Sequence, residues 1–426
     1  MYIDEPFVSF IWQHCYFNVS HLSTTDKESL LIKHPGYANI HAGPDYVESK
    51  IQIGKINWVG SVEIHVKSSD WHNHAHSSNP DYDKVILHVV WQHDIDVRRN
   101  DLSVIPTLEI RNKVSFDVRD KYTKLMYCNM SFPCYPYLTK IKDISILSMI
   151  DKSMIARLEK KAIDALRIYT DTGKNWEETV YRILARNFGF NVNKENMYLL
   201  SKLMPLSVIS KHRGSIFQVE ALLFGMAGFL EKPLDKYSEE LKHEYEYLNK
   251  KYSLNIEFLK RYQWRFLRLR PQNFPTIRIA QLAMVLCKAD KLFSAIVEYN
   301  SIDNIMELLK IRQSTYWEKH YDFGKKCKKG LSGLGISSIH NILSNTFIPI
   351  LSAYSKIVNS EYYMTKAVKI LEAIPAENNH IIRNWIKQGI IPENSFESQG
   401  LIELSNSFCY KKKCLNCSLG TDVLLN

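Results

Sequence analysis

The sequence predicts an α+β protein: a mixed, mainly-β N-terminal domain followed by a large all-α region. Three observations carry this. Between Tyr46 and Ile110, apolar residues alternate with polar ones or run together in strand-length stretches. From Ile144 onward they recur every three or four positions among Lys, Arg and Asp, as in amphipathic helices. No fixed-period repeat links the helical segments, which argues against a solenoid. The expected divisions are 1–135 for the mixed domain, 136–400 for the helical region and 401–426 for a cysteine-containing tail.

Taken in order, Glu5 to Asn18 has helical spacing in Phe7, Phe10, Ile11 and Cys15. Ser23-Thr24-Thr25 is a cap for a short element through Leu31, and His34-Pro35-Gly36 is a turn. Tyr46 to Ile53 predicts a strand, Gly54-Lys55 a turn, and Ile56 onward extended chain again. Val62 to Lys67 alternates, so Val62, Ile64 and Val66 share one face and Glu63, His65 and Lys67 the other. Val85 to Trp91 is apolar throughout except His88, the signature of a strand buried on both faces. Val104 to Ile110 is a strand that Pro106 confines to a sheet edge. In the second region, Ile144 to Tyr169 predicts a long helix, with Leu147, Ile150, Met154, Ile155, Leu158, Ala162 and Leu166 as its apolar stripe. Helical patterns follow from 175 to 188 and at 193–204, 217–230, 237–250, 277–287, 291–299, 301–311, 337–358, 361–373 and 379–388.

Composition bounds the function. The 426 residues suffice for two to three domains, and 45% apolar residues build a sizeable core. A formal charge of +10 favours an anionic partner, nucleic acid first among them. The charge leaves the protein partners unknown. Aromatic residues, at 12%, argue against disorder. No apolar run reaches the ~18–20 residues of a membrane helix. Met1 to Trp12 carries acids and no basic leader, so a cytoplasmic protein without signal peptide is expected. Eight cysteines then read as thiols or metal ligands, not disulfides.

The chemistry concentrates between Asn39 and Trp91, where eight of the fifteen histidines lie between His34 and His93. Gly43-Pro44 sets Asp45 at the mouth of a strand, and Glu63 falls on the next one. Two carboxylates converging across neighbouring strands make an oxygen site for Mg²⁺ or Mn²⁺. His65 or Lys67 beside them can orient a water or stabilise developing charge. The plainer alternative is a turn-capping Asp45 and a solvated sheet face. Pro44-Asp45 and Glu63-Ile64-His65 resemble the signature of the PD-(D/E)XK nuclease superfamily. His65 stands where that family usually has lysine, and Lys67 lies two positions on. The resemblance implies a metal-dependent nuclease with Asp45 and Glu63 as cation ligands.

His72-x-His74-x-His76 can set three imidazoles on one side of an extended segment, suited to Zn²⁺, Mn²⁺ or iron. His88 reads as a core histidine or as a further ligand. Tyr262 to Arg278 interleaves arginines with aromatics: Arg265, Arg268, Arg270 and Arg278 can grip phosphates and stack on bases. Lys325 to Lys329 reads as a mobile basic loop. Cys409, Cys414 and Cys417 form a Cys-x4-Cys-x2-Cys run that suggests zinc or an iron–sulfur cluster, with Cys134 the leading fourth ligand. One early cysteine and three at the tail is similar to the iron–sulfur staple of some RecB-type and CRISPR-associated nucleases, at different spacing.

Three functions are therefore expected to compete. They are a metal-dependent nuclease, a non-catalytic nucleic-acid- or partner-binding protein, and a histidine-metal hydrolase of a small substrate using His74, His76 and His88. The whole chain also resembles a bacterial family catalogued as domain of unknown function 2851. The segments that carry this are Ala42-Gly43-Pro44-Asp45, Trp58 to His65, Ser69-Asp70-Trp71 with His74 and His76, Val85 to Val90, Arg270 to Pro275, Ile374 to Asn379 and the tail cysteines. The family resemblance implies no particular activity.

Overall fold

Alternation in Val62–Lys67 and the unbroken apolar run of Val85–Trp91 decide the architecture, because the two segments pair. The computed structural model describes residues 2–254, 258–298 and 302–426. By contacts the chain forms two units. One comprises Met1–Lys152, Arg383–Ile390 and Leu401–Asn426, and the other Ser153–Ile382 and Ile391–Gly400. Where a boundary at 135 and a separate tail are expected, the first unit runs to Lys152 and includes the tail, Leu401–Asn426.

In the first unit, α1 (Glu5–Gln13) is capped by the Asp4 carboxylate and begins with Pro6, which a first turn tolerates. A seven-stranded sheet follows: β1 (Leu22–Ser23), β2 (Ser29–His34), β3 (Tyr37–Ala38), β4 (Tyr46–Ile53), β5 (Ile56–Lys67), β6 (Val85–Gln92) and β7 (Thr107–Glu109). The order is β1-β2-β4-β5-β6-β7, with β3 paired to β4. The pairs from β1 to β5 are antiparallel; β5–β6 and β6–β7 are parallel. Ser23 to Leu31, expected to start from a cap, forms β1 and β2 instead, because alternating Leu30 and Ile32 find β4 as a partner.

Parallel strands need a crossover, and residues 68–84 supply it over one face of β5 and β6. It holds one helical turn, α2 (Asp70–Asn73), and two 3-10 turns, His76–Ser78 and Pro80–Lys84. Asp94 fastens its start, accepting from the Ser68 hydroxyl at 2.8 Å and the Ser69 hydroxyl at 2.8 Å. Trp71 is fully buried beneath it with Val85, Val97 and Ile105. The opposite face of the sheet is apolar and meets α1 and α3 (Phe116–Tyr127): Phe7 stacks on Tyr122 at 4.3 Å and approaches Trp91 at 6.1 Å. Gly60 permits the close entry of β6, since an added Cβ would lie 2.5 Å from Ile86 Cγ2 and 2.9 Å from the Lys84 carbonyl.

Helix α3, the helix Ser395–Leu404 and the C-terminal helix Ser418–Leu425 lay outside the sequence expectations. The long helix, α4 (Asp143–Asp171), matches its pattern, with Ile150, Met154, Leu158 and Ala162 buried. Leu147 and Ile155, assigned to the same stripe, are more than half exposed.

The second unit is helical around one large core that includes Leu184, Phe224, Leu282 and Trp317. It is not wholly α: His320–Asp322 pairs with Lys325–Lys326 in a hairpin, so the first part of the lysine run is strand. The expected helix at 337–358 is continuous but contains a π turn, Leu343–Phe347. The helices expected at 291–299 and 301–311 are Leu292–Glu298 and Ile302–Leu309; residues 299 and 301 lie outside the described ones. No helix among the described residues is long and apolar enough to cross a membrane.

Candidate functional site

Antiparallel pairing of Tyr46 with Val62 brings Asp45 beside Glu63. The two acids bind each other's strand. The Glu63 Oε2 accepts from the Asp45 N–H at 3.1 Å, and the Asp45 Oδ2 accepts from the Ile64 N–H at 3.0 Å. This leaves Glu63 Oε1 facing the histidines. The parallel register of β5 on β6 sets Glu63 level with His88 and His65 level with Val90, on the face that the crossover covers.

The crossover brings two more imidazoles. His72, His74 and His76 do not line an extended segment: Asp70 starts a helical turn, and its carboxylate takes the Lys67 N–H at 2.9 Å. His72 consequently turns outward, exposed, towards Ser77. Ala75 then adopts a left-handed φ of 57°, unusual for a residue with a Cβ, and folds the chain so that His74 and His76 both reach back to His65. His65 Nε2 lies 3.1 Å from His74 Nδ1. Ligand atoms of His65, His74 and His76 all fall within 4.8 Å of one another. His76 Nε2 is 3.1 Å from Glu63 Oε1 and His65 Nε2 is 3.7 Å from it. No hydrogen bond joins His76 Nε2 to that oxygen or to any other partner among the described residues.

These are not ion pairs. Burial, then the Asp45 and Glu5 charges, pushes Glu63 up to about 9. Burial, then neighbouring imidazoles, holds His65 down to about 3 and His76 to about 4. Near neutral pH Glu63 is therefore a protonated carboxyl beside the neutral imidazoles of His65 and His76. Asp45 and Glu5 are raised by the same burial, and Glu5 also by the charge of Asp45. Three acids thus crowd one place with histidines as their basic neighbours. A divalent cation reverses this preference: it favours the carboxylate and takes the neutral imidazole lone pairs.

Depth is graded. Glu63, His65 and His76 are buried, Asp45 and Glu5 half-buried, and His74 exposed. His88, expected as a core histidine or a further ligand, is fully buried and its Nε2 bonds His65 Nδ1 at 2.8 Å, which fixes the orientation of the His65 ring. Lys67 follows at the exposed end of β5. Tyr82 stacks on His76 at 3.8 Å, and Trp71 packs edge-on to it at 5.3 Å. Nothing in the local pattern around Tyr82 points to the site, which it reaches only because the crossover doubles back.

The arginine stretch lies in the second unit. Arg261–Gln263 and Pro271–Asn273 are 3-10 turns joined by loop, and a helix runs Pro275–Lys288. Arg265, Arg268 and Arg270 are exposed, as is Tyr262. Arg278 is not a surface contact. It is 6% exposed, bonds Asn273 Oδ1 at 2.7 Å and Gln281 Oε1 at 2.9 Å, and covers the Phe190 ring at 4.4 Å. Its helix turns that position inward, where both terminal guanidinium nitrogens find acceptors while Nε finds none among the described residues. Cys134, Cys409, Cys414 and Cys417 are all buried in the first unit.

No curated protein and no solved structure matches the chain. A model of the family described as "Protein of unknown function (DUF2851)" matches residues 5–380, nearly the whole length, and the chain belongs to that family.

Proposed function

We propose that the protein is a divalent-metal-dependent hydrolase of phosphodiesters, with nucleic acid as its substrate class. The observation that carries this reading is the convergence of His65, His74 and His76 ligand atoms within 4.8 Å beside Glu63 Oε1. Three imidazoles with one carboxylate suit Mn²⁺, Zn²⁺ or Fe²⁺ better than Mg²⁺, which prefers an all-oxygen shell. The cation expected from two carboxylates alone therefore shifts towards borderline metals, with Mn²⁺ the choice common to both readings.

His65, His74 and His76, with Glu63 beside them, would hold the cation, which would supply Lewis acidity towards water and a phosphate oxygen. In the hydrolysis the water oxygen bonds to phosphorus, the P–O ester bond breaks, and the departing oxygen takes a proton from solvent. Asp45, half-buried and raised above the ordinary carboxylate range, is the base that accepts the proton of the attacking water. His74, exposed at the rim, meets the substrate side. The net charge of +10 and the exposed Arg265, Arg268 and Arg270 support a polyanionic substrate.

The test uses the full chain with single- and double-stranded DNA and RNA, in Mn²⁺, Zn²⁺, Mg²⁺ or chelator. The expected result is chelator-sensitive cleavage that falls at least ~100-fold in Glu63→Gln and in His76→Ala. No cleavage by the wild-type chain with any of these metals, or equal cleavage by folded variants, rejects the reading. Hydrolysis of a small diester without nucleic-acid cleavage returns the protein to the small-substrate class, which the burial of Glu63, His65 and His76 favours.

A further inference from the structure

A second group of metal-type ligands lies apart from the histidines in the sequence. Cys134, Cys409, Cys414 and Cys417 are each less than a tenth exposed, and all are free thiols of the first unit. They are electrostatic neighbours: Cys409 senses Cys134, Cys417 and Cys414, and Cys134 senses Cys417 and Cys414. Distinct backbone devices hold them. Cys409 ends a π turn, Ser405–Cys409, a wide turn often found at functional positions. The chain then bends at Lys412, which is left-handed, and the Lys412 ammonium donates to the Met126 carbonyl near the end of α3. Cys414 opens a 3-10 turn, and Cys417 precedes the helix Ser418–Leu425. There the Leu419 and Gly420 N–H groups point at the Cys417 sulfur. Gly420 packs so tightly that an added Cβ would lie 2.2 Å from the Cys414 carbonyl. On the other side, Phe132 stacks on Trp385 at 3.8 Å, and the Trp385 indole donates to the Ser405 hydroxyl at 2.9 Å, fixing the segments that carry Cys134 and Cys409.

Buried thiols are ordinary small hydrophobes. That accounts for one such residue and not for four meeting, with backbone donors aimed at a sulfur.

We infer that Cys134, Cys409, Cys414 and Cys417 hold an iron–sulfur cluster that fastens the C-terminal tail to the segment following α3. Four cysteines complete the ligand set such clusters take. A lone zinc ion, with thiolates at about 2.3 Å, would draw the sulfurs to within roughly 4 Å of one another. Among the described residues, no three of these sulfurs all lie within 4.8 Å of one another, a spread that suits a multi-iron core better than a single zinc ion. Loading replaces four S–H bonds by four Fe–S bonds. The protons pass to solvent, and a carrier protein delivers the assembled cluster.

The experiment is iron, zinc and acid-labile sulfide analysis of the full chain purified without oxygen, with its visible spectrum. The expected result is iron and sulfide in equal amount, with a broad visible absorption that a reductant bleaches. Cys134→Ser and Cys417→Ser should lose it, while Cys287→Ser and the His76→Ala variant keep it. Stoichiometric zinc without sulfide, or no metal, overturns the inference. Should a tail variant fail to fold, the wild-type analysis still decides. Because iron and sulfide are read directly, the outcome is independent of whether the histidine site hydrolyses anything.

Discussion

His88 Nε2 stands 2.8 Å from His65 Nδ1, with both rings fully buried between two parallel strands. That contact turns the other nitrogen of His65 towards Glu63 and His74. A ligand ring oriented by a second side chain is worth about 10–100-fold in metal affinity. His88→Phe should therefore keep the fold and weaken Mn²⁺ or Zn²⁺ binding by that factor, measured by calorimetric titration. Unchanged affinity would mean that His65 needs no such guide.

Metal should also stabilise the first unit. A ligand bound only by the folded chain adds about 2.7 kcal/mol when present at about 100 times its Kd. Mn²⁺ or Zn²⁺ should raise the Tm of the wild-type chain, and the rise should vanish in a His74→Ala, His76→Ala double variant. An equal rise in both would place the cation elsewhere.

Arg278 and the exposed arginines should separate cleanly. Arg278→Met leaves Asn273 and Gln281 without their buried partner, at about 2–4 kcal/mol of stability read by denaturant unfolding. Joint replacement of Arg265, Arg268 and Arg270 by alanine should leave stability within about 0.5 kcal/mol. The same replacement should weaken nucleic-acid binding and flatten its salt dependence by roughly 0.9 per lost phosphate contact.

Glu220 gives the second unit a pH dependence of known sign. It is wholly buried, accepts from Tyr237 Oη at 2.6 Å and Trp317 Nε1 at 3.1 Å, and burial raises it from 4.5 to about 7. Between those values the folded chain binds more protons than the unfolded one, so stability falls as pH rises through the window and is flat above it. Glu220→Gln should remove this slope. Relative to it, the wild type should lose at most about 3 kcal/mol between pH 4.5 and pH 7.5, measured by unfolding at each pH.

Gly420→Ala should loosen the tail, since its Cβ would collide with the Cys414 carbonyl. The expected loss is about 1–3 kcal/mol, with earlier proteolysis after residue 400.

Local pattern determined much of this protein. Alternation in Val62–Lys67, the apolar run around His88 and the three-to-four spacing of α4 each follow from side-chain periodicity, which a single segment displays. It also placed Asp45 next to Glu63, because a short turn at Gly54-Lys55 allows little but an antiparallel pair. Tertiary structure decided the rest. The spacing of His72, His74 and His76 suggests three aligned ligands, yet the helical turn at Asp70 and the left-handed Ala75 send His72 outward, bury His76 and leave His74 exposed beside His65. His88 bonds the far side of the His65 ring because parallel β6 set it against β5. Arg278 and Arg265 look alike in sequence, and only packing buried one and exposed the other. Periodicity tells which way a side chain leaves its own strand or helix; which group waits there depends on chain from far away, which no local window contains.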